Sequence, residues 1–215
     1  MSEESSQVLR NLGISRLKAG KIDFDSLTAE QVGQLFPIRI VPYDSDWTKC
    51  YEQEKELIIR VLSEDFALHI AHFGSTSVVG LAAKPTIDIL VEVPALNEEA
   101  KLLITRKLEK IGYGNMFNAE KEKKMTFGKG YDLEAFSALT YHVHIREKGD
   151  KPQDEIYFRD YLRQNPDACE AYAQLKYALA EKFQFNREAY TQAKTTFIQE
   201  LTEKQREIIC RTETE

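Results

Sequence analysis

The chain has 215 residues, 42% of them hydrophobic, enough interior for one compact domain that needs no disulfide or metal to hold it together. Its formal net charge of −6 and isoelectric point near 5.4 exclude a protein whose main business is wrapping nucleic acid, since neutralising phosphates takes a net basic face; a local basic pocket stays open. The scattered Cys50, Cys169 and Cys210 read as thiols rather than a disulfide framework or zinc site. No apolar run reaches the roughly 20 residues of a membrane span, and residues 1–6 lack signal-peptide character, so a soluble, cytoplasmic protein with no membrane partner is expected.

Residues 1–36 read as an N-terminal extension, in which Leu9, Leu12, Ile14 and Leu17 hint at a short helix. Thr28-Ala29-Glu30-Gln31 matches a capping box and predicts a helix through Leu35, stopped by Pro37. Residues 38–41 then predict a first strand. After Pro42, the spacing of Trp47, Cys50, Tyr51, Leu57, Ile58, Val61 and Leu62 predicts a helix over 46–63, capped by Ser45 or Asp46. Strands follow at 68–73 and 86–93, the second so continuously apolar that both its faces should be covered. Asn97 caps a helix to about Ile111, ended by Gly112. Residues 113–117 and 124–127 predict short strands around the charged turn 120–123, and 139–145 alternates as a further strand, making a mixed sheet of five or six strands. Beyond Lys151 the signals are helical: Pro152 in a first turn, Asn165-Pro166 opening a second helix and Asn186 a third ending near Arg211. The expected domain is 37–211, a sheet-containing core (37–147) followed by a helical part (151–211), in the α/β (α+β) class.

The chemistry concentrates in residues 72–93. A strand ending in Gly74-Ser75 offers a backbone that a phosphate can approach closely, with the Ser75 hydroxyl and amide beside it. Thr76, Ser77 and Lys84 follow in the loop, and Asp88 is the first charge in the next strand, where a carboxylate is costly to bury unless paired or metal-bound. Transfer of a nucleotidyl group needs little covalent help; it needs phosphates held still and a divalent ion between phosphate and carboxylate. Each residue also has a plainer reading: Gly74 as a turn glycine, Ser75, Thr76 and Ser77 as loop caps, Lys84 as an exposed lysine, Asp88 in a structural ion pair. His69 and His72 read as strand positions without partners.

Gly74-Ser75-Thr76-Ser77-Val78, Gly80-Leu81, Ala83-Lys84-Pro85 and Ile87-Asp88-Ile89 together resemble the GrpB family. The resemblance extends to Pro42-Tyr43-Asp44 with Trp47, to Tyr141-His142-Val143-His144, and to Phe158-Arg159-Asp160-Tyr161-Leu162-Arg163, Asn165-Pro166, Tyr172, Leu175-Lys176, Tyr190 and Lys194, covering about residues 38–200. It implies a nucleotidyltransferase-like mixed sheet flanked by helices, and in some family members a fusion to dephospho-CoA kinase; it brings no established reaction. It alone selects Arg159, Lys176 and Lys194 as anion-binding residues. Tyr141, Tyr161, Tyr172 and Tyr190 read as core aromatics with a polar end or as base-stacking platforms.

Active nucleotidyltransferases resemble one another in two carboxylates separated by one residue. Here Asp88 is followed by Leu90, and Glu92 lies about 13 Å further along the same face, too far to share an ion. His142 and His144 share a strand face, and with Asp88 would make a site for a transition metal rather than Mg²⁺. The expected cofactor is therefore a divalent ion, Mg²⁺, Mn²⁺ or a transition metal, at Asp88, His142 and His144, which are also the catalytic candidates. Three functions stand: metal-assisted nucleotidyl transfer to a small molecule; non-catalytic binding of a nucleotide or other small anion by a fold that lost its second carboxylate; and a different metal-dependent reaction at the three residues.

Overall fold

A computed structural model describes residues 9, 11, 17–18, 21–22, 27–63, 66–116, 124–131, 139–149 and 154–212. A short antiparallel ribbon, β1 (Leu17–Lys18) and β2 (Lys21–Ile22), precedes α1 (Ala29–Leu35). The capping box of α1 is complete, with Gln31 N donating to Thr28 Oγ1 (3.2 Å) and Thr28 N to Gln31 Oε1 (2.9 Å). Of the residues hinting at a short N-terminal helix, Leu9 is helical, as is Asn11, whereas Leu17 stands in β1 instead, and Leu12 and Ile14 lie outside the described residues.

Helix α2 (Asp46–Leu62) buries Trp47, Tyr51, Glu54, Ile58 and Leu62, the stripe its spacing demands. Its cap differs from expectation: Ser45 makes no side-chain cap bond, and the Asp46 amide donates to Asp44 Oδ1 (2.9 Å). The expected strand over 38–41 is also absent. Pro37 and Pro42 remove amides at both ends, the Ile38 amide donates to Gln184 O (2.8 Å), and only Val41 pairs, as an isolated bridge with Ala83.

The main sheet contains β3 (His69–Phe73), β4 (Thr86–Val93), β5 (Gly114–Asn115), β6 (Lys124–Lys129) and β7 (Thr140–Glu147) in the order β3-β4-β7-β6-β5. Only β4 and β7 run parallel; the remaining neighbours are antiparallel. The sheet is thus mixed and five-stranded, as expected, although β5 is shorter than 113–117. The predicted turn over 120–123 and Phe117 lie outside the described residues.

Strand β4 is covered on both faces, which accounts for its apolar run. Ile87, Ile89, Val91 and Val93 point one way, into a core shared with Val143, Ile145, Met125 and Phe127 and roofed by α2 and α3 (Glu98–Glu109). Asn97 caps α3 by accepting from the Ala100 amide at 2.8 Å. Asp88, Leu90 and Glu92 point the other way. There Leu90 packs with Ala71, Phe73 and Ile156 beneath α4 (Asp154–Gln164).

The helical part holds four helices among the described residues: α4, α5 (Pro166–Lys182), α6 (Arg187–Gln192) and α7 (Thr195–Thr212). The third predicted helix is therefore two, interrupted at Ala193 and Lys194, and Pro152 lies outside the described residues. The bundle packs on the loop after β3: Val78, Leu81 and Ala82 share one apolar cluster with Phe158, Leu162, Tyr172, Ala173 and Leu201. Sheet and helices thereby enclose a cleft on the Asp88 face.

Candidate functional site

Parallel pairing of β4 with β7 sets Asp88 opposite His142 and Leu90 opposite His144. Since β-strand side chains alternate, the three polar side chains emerge on one face. Asp88 Oδ1 lies 3.4 Å from His142 Nδ1 and 3.8 Å from His144 Nε2. Burial opposes ionisation of Asp88, but its electrostatic interactions with the His142 and His144 rings outweigh that and hold the carboxyl well below the usual carboxylate range. The far nitrogen of His142, Nε2, is hydrogen-bonded to the Tyr131 hydroxyl, and the two rings stack at 5.7 Å. His144 Nε2 is buried and has no hydrogen-bond partner.

The turn after β3 is built around this carboxylate. Antiparallel register places Phe73 opposite Asp88, so Gly74 meets the Asp88 side chain as it leaves the strand with φ +72° and ψ −177°. Only glycine has room: a Cβ there would sit 2.4 Å from Asp88 Oδ2. Residues 75–77 then form one 3₁₀ turn. Ser77 Oγ donates to Gly74 O (2.6 Å) and Thr76 Oγ1 to Thr86 O (2.9 Å). With its proton so committed, the Thr76 oxygen accepts from His72 Nε2 at 3.0 Å. His72 also stacks on Tyr51 at 4.6 Å, and burial pushes its imidazole down to about 4. The expectation that His69 and His72 lack partners is therefore corrected, His69 Nδ1 lying 3.5 Å from Glu92 Oε2 across the β3–β4 pair.

Arg163, from α4, clasps the turn from outside, with Nε and Nη2 both donating to Ser77 O (3.2 and 2.7 Å). Arg163→Ala is expected to cost about 1 kcal/mol, since its half-exposed guanidinium is partly screened. Urea denaturation measures that loss, and amide exchange should accelerate at 74–78 but not in β6.

A cavity of about 410 Å³ opens beside Asp88, lined among others by Gly74, Ser75, Thr86, His142, Tyr172 and Tyr190. Lys84, Lys176 and Lys194 all reach it, from the loop before β4, from α5 and from the break between α6 and α7. The Lys84 and Lys194 ammoniums lie over the Tyr190 ring at 5.6 and 4.3 Å, and Lys176 lies over Tyr172 at 4.6 Å. Lys176, only 2% exposed, donates to Ala82 O. Desolvation, reinforced by neighbouring cations, depresses Lys84 and Lys176 to about 7; desolvation brings Lys194 to about 8. Besides Asp88, the two acids on the cavity wall are already engaged, Asp154 with Arg206 and Glu155 with Arg146.

The site thus gathers Gly74, Ser75, Lys84, Asp88, His142, Lys176 and Lys194, with His144 against Asp88. It does not gather the other candidates. Thr76 and Ser77 turn inward to hold the loop, and Arg159 bonds His72 O (2.9 Å) and Asp160 (2.7 Å). Tyr172 and Tyr190 line the cavity, whereas Tyr141 and Tyr161 pack on apolar clusters. Tyr131 had no signal in the sequence beyond a lone tyrosine in a loop; Arg163 stood within the segment that carries the resemblance, but nothing assigned it a role. A pair of Mg²⁺ ions does not fit: Mg²⁺ requires oxygen donors, two of the three donors here are imidazoles, and the place of a second carboxylate is taken by Leu90, 6% exposed.

A protein-family model described as GrpB protein matches residues 37–204. The glutamate-rich protein GrpB of Alkalihalophilus pseudofirmus is 35% identical over 163 residues, 75% of this chain and 92% of that protein. The crystal structure of conserved protein GrpB from Enterococcus faecalis is similar at a TM-score of 0.67 and 31% identity, over 78% of this chain and 96% of that one. A dephospho-CoA kinase of Mycolicibacterium paratuberculosis is 26% identical over 191 residues, which are 79% of this chain and 46% of that protein. With most of its length matched and its fold shared, the chain belongs to the GrpB family.

Proposed function

We propose that the cavity binds the phosphate chain of a nucleotide and that the protein transfers the nucleotidyl group to a small acceptor with the help of a divalent metal at Asp88. One observation carries this reading: three lysines line one half-open cavity, and among the described residues none of them has a carboxylate within ion-pair distance, Asp88 acting on Lys84 and Lys194 only from further off. Clustered, desolvated ammoniums repel one another, and a polyanion relieves that cost. Gly74 and Ser75 present an open backbone and a hydroxyl on the same wall. In the transfer, an acceptor oxygen would bond to the α-phosphorus as its bond to the bridging oxygen breaks; pyrophosphate leaves against the lysines and the acceptor proton goes to solvent.

Binding of nucleotide without turnover is the second reading, and Leu90 in place of a carboxylate favours it. Calorimetric titration of nucleoside triphosphates, mononucleotides and inorganic phosphate, with and without divalent ions, tests both. Binding with product formation supports transfer; binding alone supports the second reading; no binding of any phosphate compound sinks the first two together.

The lysines set the pH dependence. A bound phosphate favours the ammonium form and raises lysine pKa values that start at about 7 to 8, so binding takes up protons. Affinity should fall at least tenfold between pH 7 and 9, and heats in buffers of differing ionisation enthalpy should report the uptake. The free protein should behave oppositely. Its lysines are depressed below their unfolded value of 10.5, so unfolding binds protons and stability rises with pH from about 7 towards 10.5.

A further inference from the structure

We propose that Asp88 Oδ1, His142 Nδ1 and His144 Nε2 hold a single divalent ion of the transition series and that Tyr131 is the positioning residue that turns the His142 ring towards it. The three donor atoms lie within 4.8 Å of one another. The two separations from Asp88 Oδ1, 3.4 and 3.8 Å, already match the spacing of about 3 to 4 Å that donors adopt around a first-row ion bound at about 2.0 to 2.2 Å. Two imidazoles and one carboxylate suit zinc, iron or manganese in preference to magnesium.

Two further observations point to a ligand rather than to a closed structural network. His144 Nε2 is buried without a hydrogen-bond partner, although Asp88 Oδ1 is only 3.8 Å away, and a buried polar nitrogen left so is costly. His142, in turn, has its outer nitrogen hydrogen-bonded to the Tyr131 hydroxyl, which leaves Nδ1 facing Asp88. A metal-bound histidine is commonly held by just such a partner on its other nitrogen. The ring stacking of Tyr131 on His142 at 5.7 Å adds a steric restraint on the same orientation.

The stoichiometry follows from the strand. The residue two along β4 from Asp88 is Leu90, packed among Ala71, Phe73 and Ile156, and Glu92 beyond it faces His69. Strand β4 thus offers no second carboxylate beside Asp88, so the lysines supply the remaining positive charge for a phosphate ligand.

The ion belongs to the site proposed for nucleotide, but its uptake is measured without nucleotide. The full chain, stripped with chelator, is titrated with Zn²⁺, Co²⁺, Mn²⁺ and Mg²⁺, and the Co²⁺ complex is followed by its visible ligand-field spectrum. One equivalent of Zn²⁺ or Co²⁺ per chain is expected, with Mg²⁺ failing to compete at a hundredfold excess. Asp88→Asn and His144→Gln should each abolish uptake while circular dichroism melts show a folded chain. Tyr131→Phe should keep the stoichiometry and weaken affinity 10- to 100-fold, as loss of such a partner does elsewhere. Two ions per chain, effective competition by Mg²⁺, or no Co²⁺ spectrum from folded protein would overturn the assignment. Metal uptake without nucleotide binding would leave it standing and remove only the nucleotide reading; nucleotide binding untouched by chelator in a metal-free chain would do the reverse.

Discussion

Gly74→Ala is expected to destabilise the protein by about 3 kcal/mol and to abolish metal uptake at Asp88. Two independent costs combine. The backbone at Gly74 has φ +72° and ψ −177°, a region that side chains other than hydrogen almost never occupy, costing about 1–3 kcal/mol. The added methyl would also stand 2.4 Å from Asp88 Oδ2 and 3.0 Å from its Cβ and Cγ. Asp88 is short and held between two imidazoles, so the carboxylate or the turn must move. Chemical denaturation and Co²⁺ titration of the same sample measure the two consequences. Wild-type metal affinity in a destabilised Gly74→Ala protein would show that the carboxylate does not depend on the close approach of the turn.

Lys176→Met should do the opposite to stability while damaging the site. The ammonium is almost fully buried, has a carbonyl rather than a carboxylate for its hydrogen-bond partner, and is depressed to about 7 by desolvation and by Lys194 and Lys84. An apolar side chain of similar volume removes that burden, with a gain of about 2 kcal/mol expected near pH 7 and less at pH 10, where the lysine is neutral in the folded chain. Nucleotide affinity should meanwhile fall about 10- to 100-fold, the cost of one charge-assisted contact to phosphate. A melting temperature that rises together with a raised dissociation constant would mark Lys176 as a residue kept for binding at the expense of stability. Unchanged affinity would remove it from the phosphate site and leave it as a packing residue on Tyr172.

Much of the fold was legible in residue order because it rests on local physics. The capping box at Thr28, the three-and-four spacing in α2, the Asn97 cap and the apolar run of β4 each depend on neighbours within a few positions, and each is present where expected. The failures were those where a distant partner decides. Residues 38–41 have strand-forming side chains, but their hydrogen bonds go to Gln184 and Ala83 rather than to a sheet edge. The last helical stretch breaks at Ala193 and Lys194, bringing Lys194 into the cavity.

The site divides in the same way. Alternation alone placed His142 and His144 on one face and kept Glu92 out of reach of Asp88. Only the parallel register of β4 with β7 decided that this face is the one Asp88 shares, because register is set by pairing across the sheet and not by either strand alone. Tertiary packing likewise selected Lys84, Lys176 and Lys194 from the chain's basic residues and committed Arg159 to the His72 carbonyl, since convergence of three separate segments has no signature in spacing. The sequence by itself determined the family, the elements and the lone carboxylate; which polar groups meet that carboxylate was decided by contacts between residues that lie up to about a hundred positions apart along the chain.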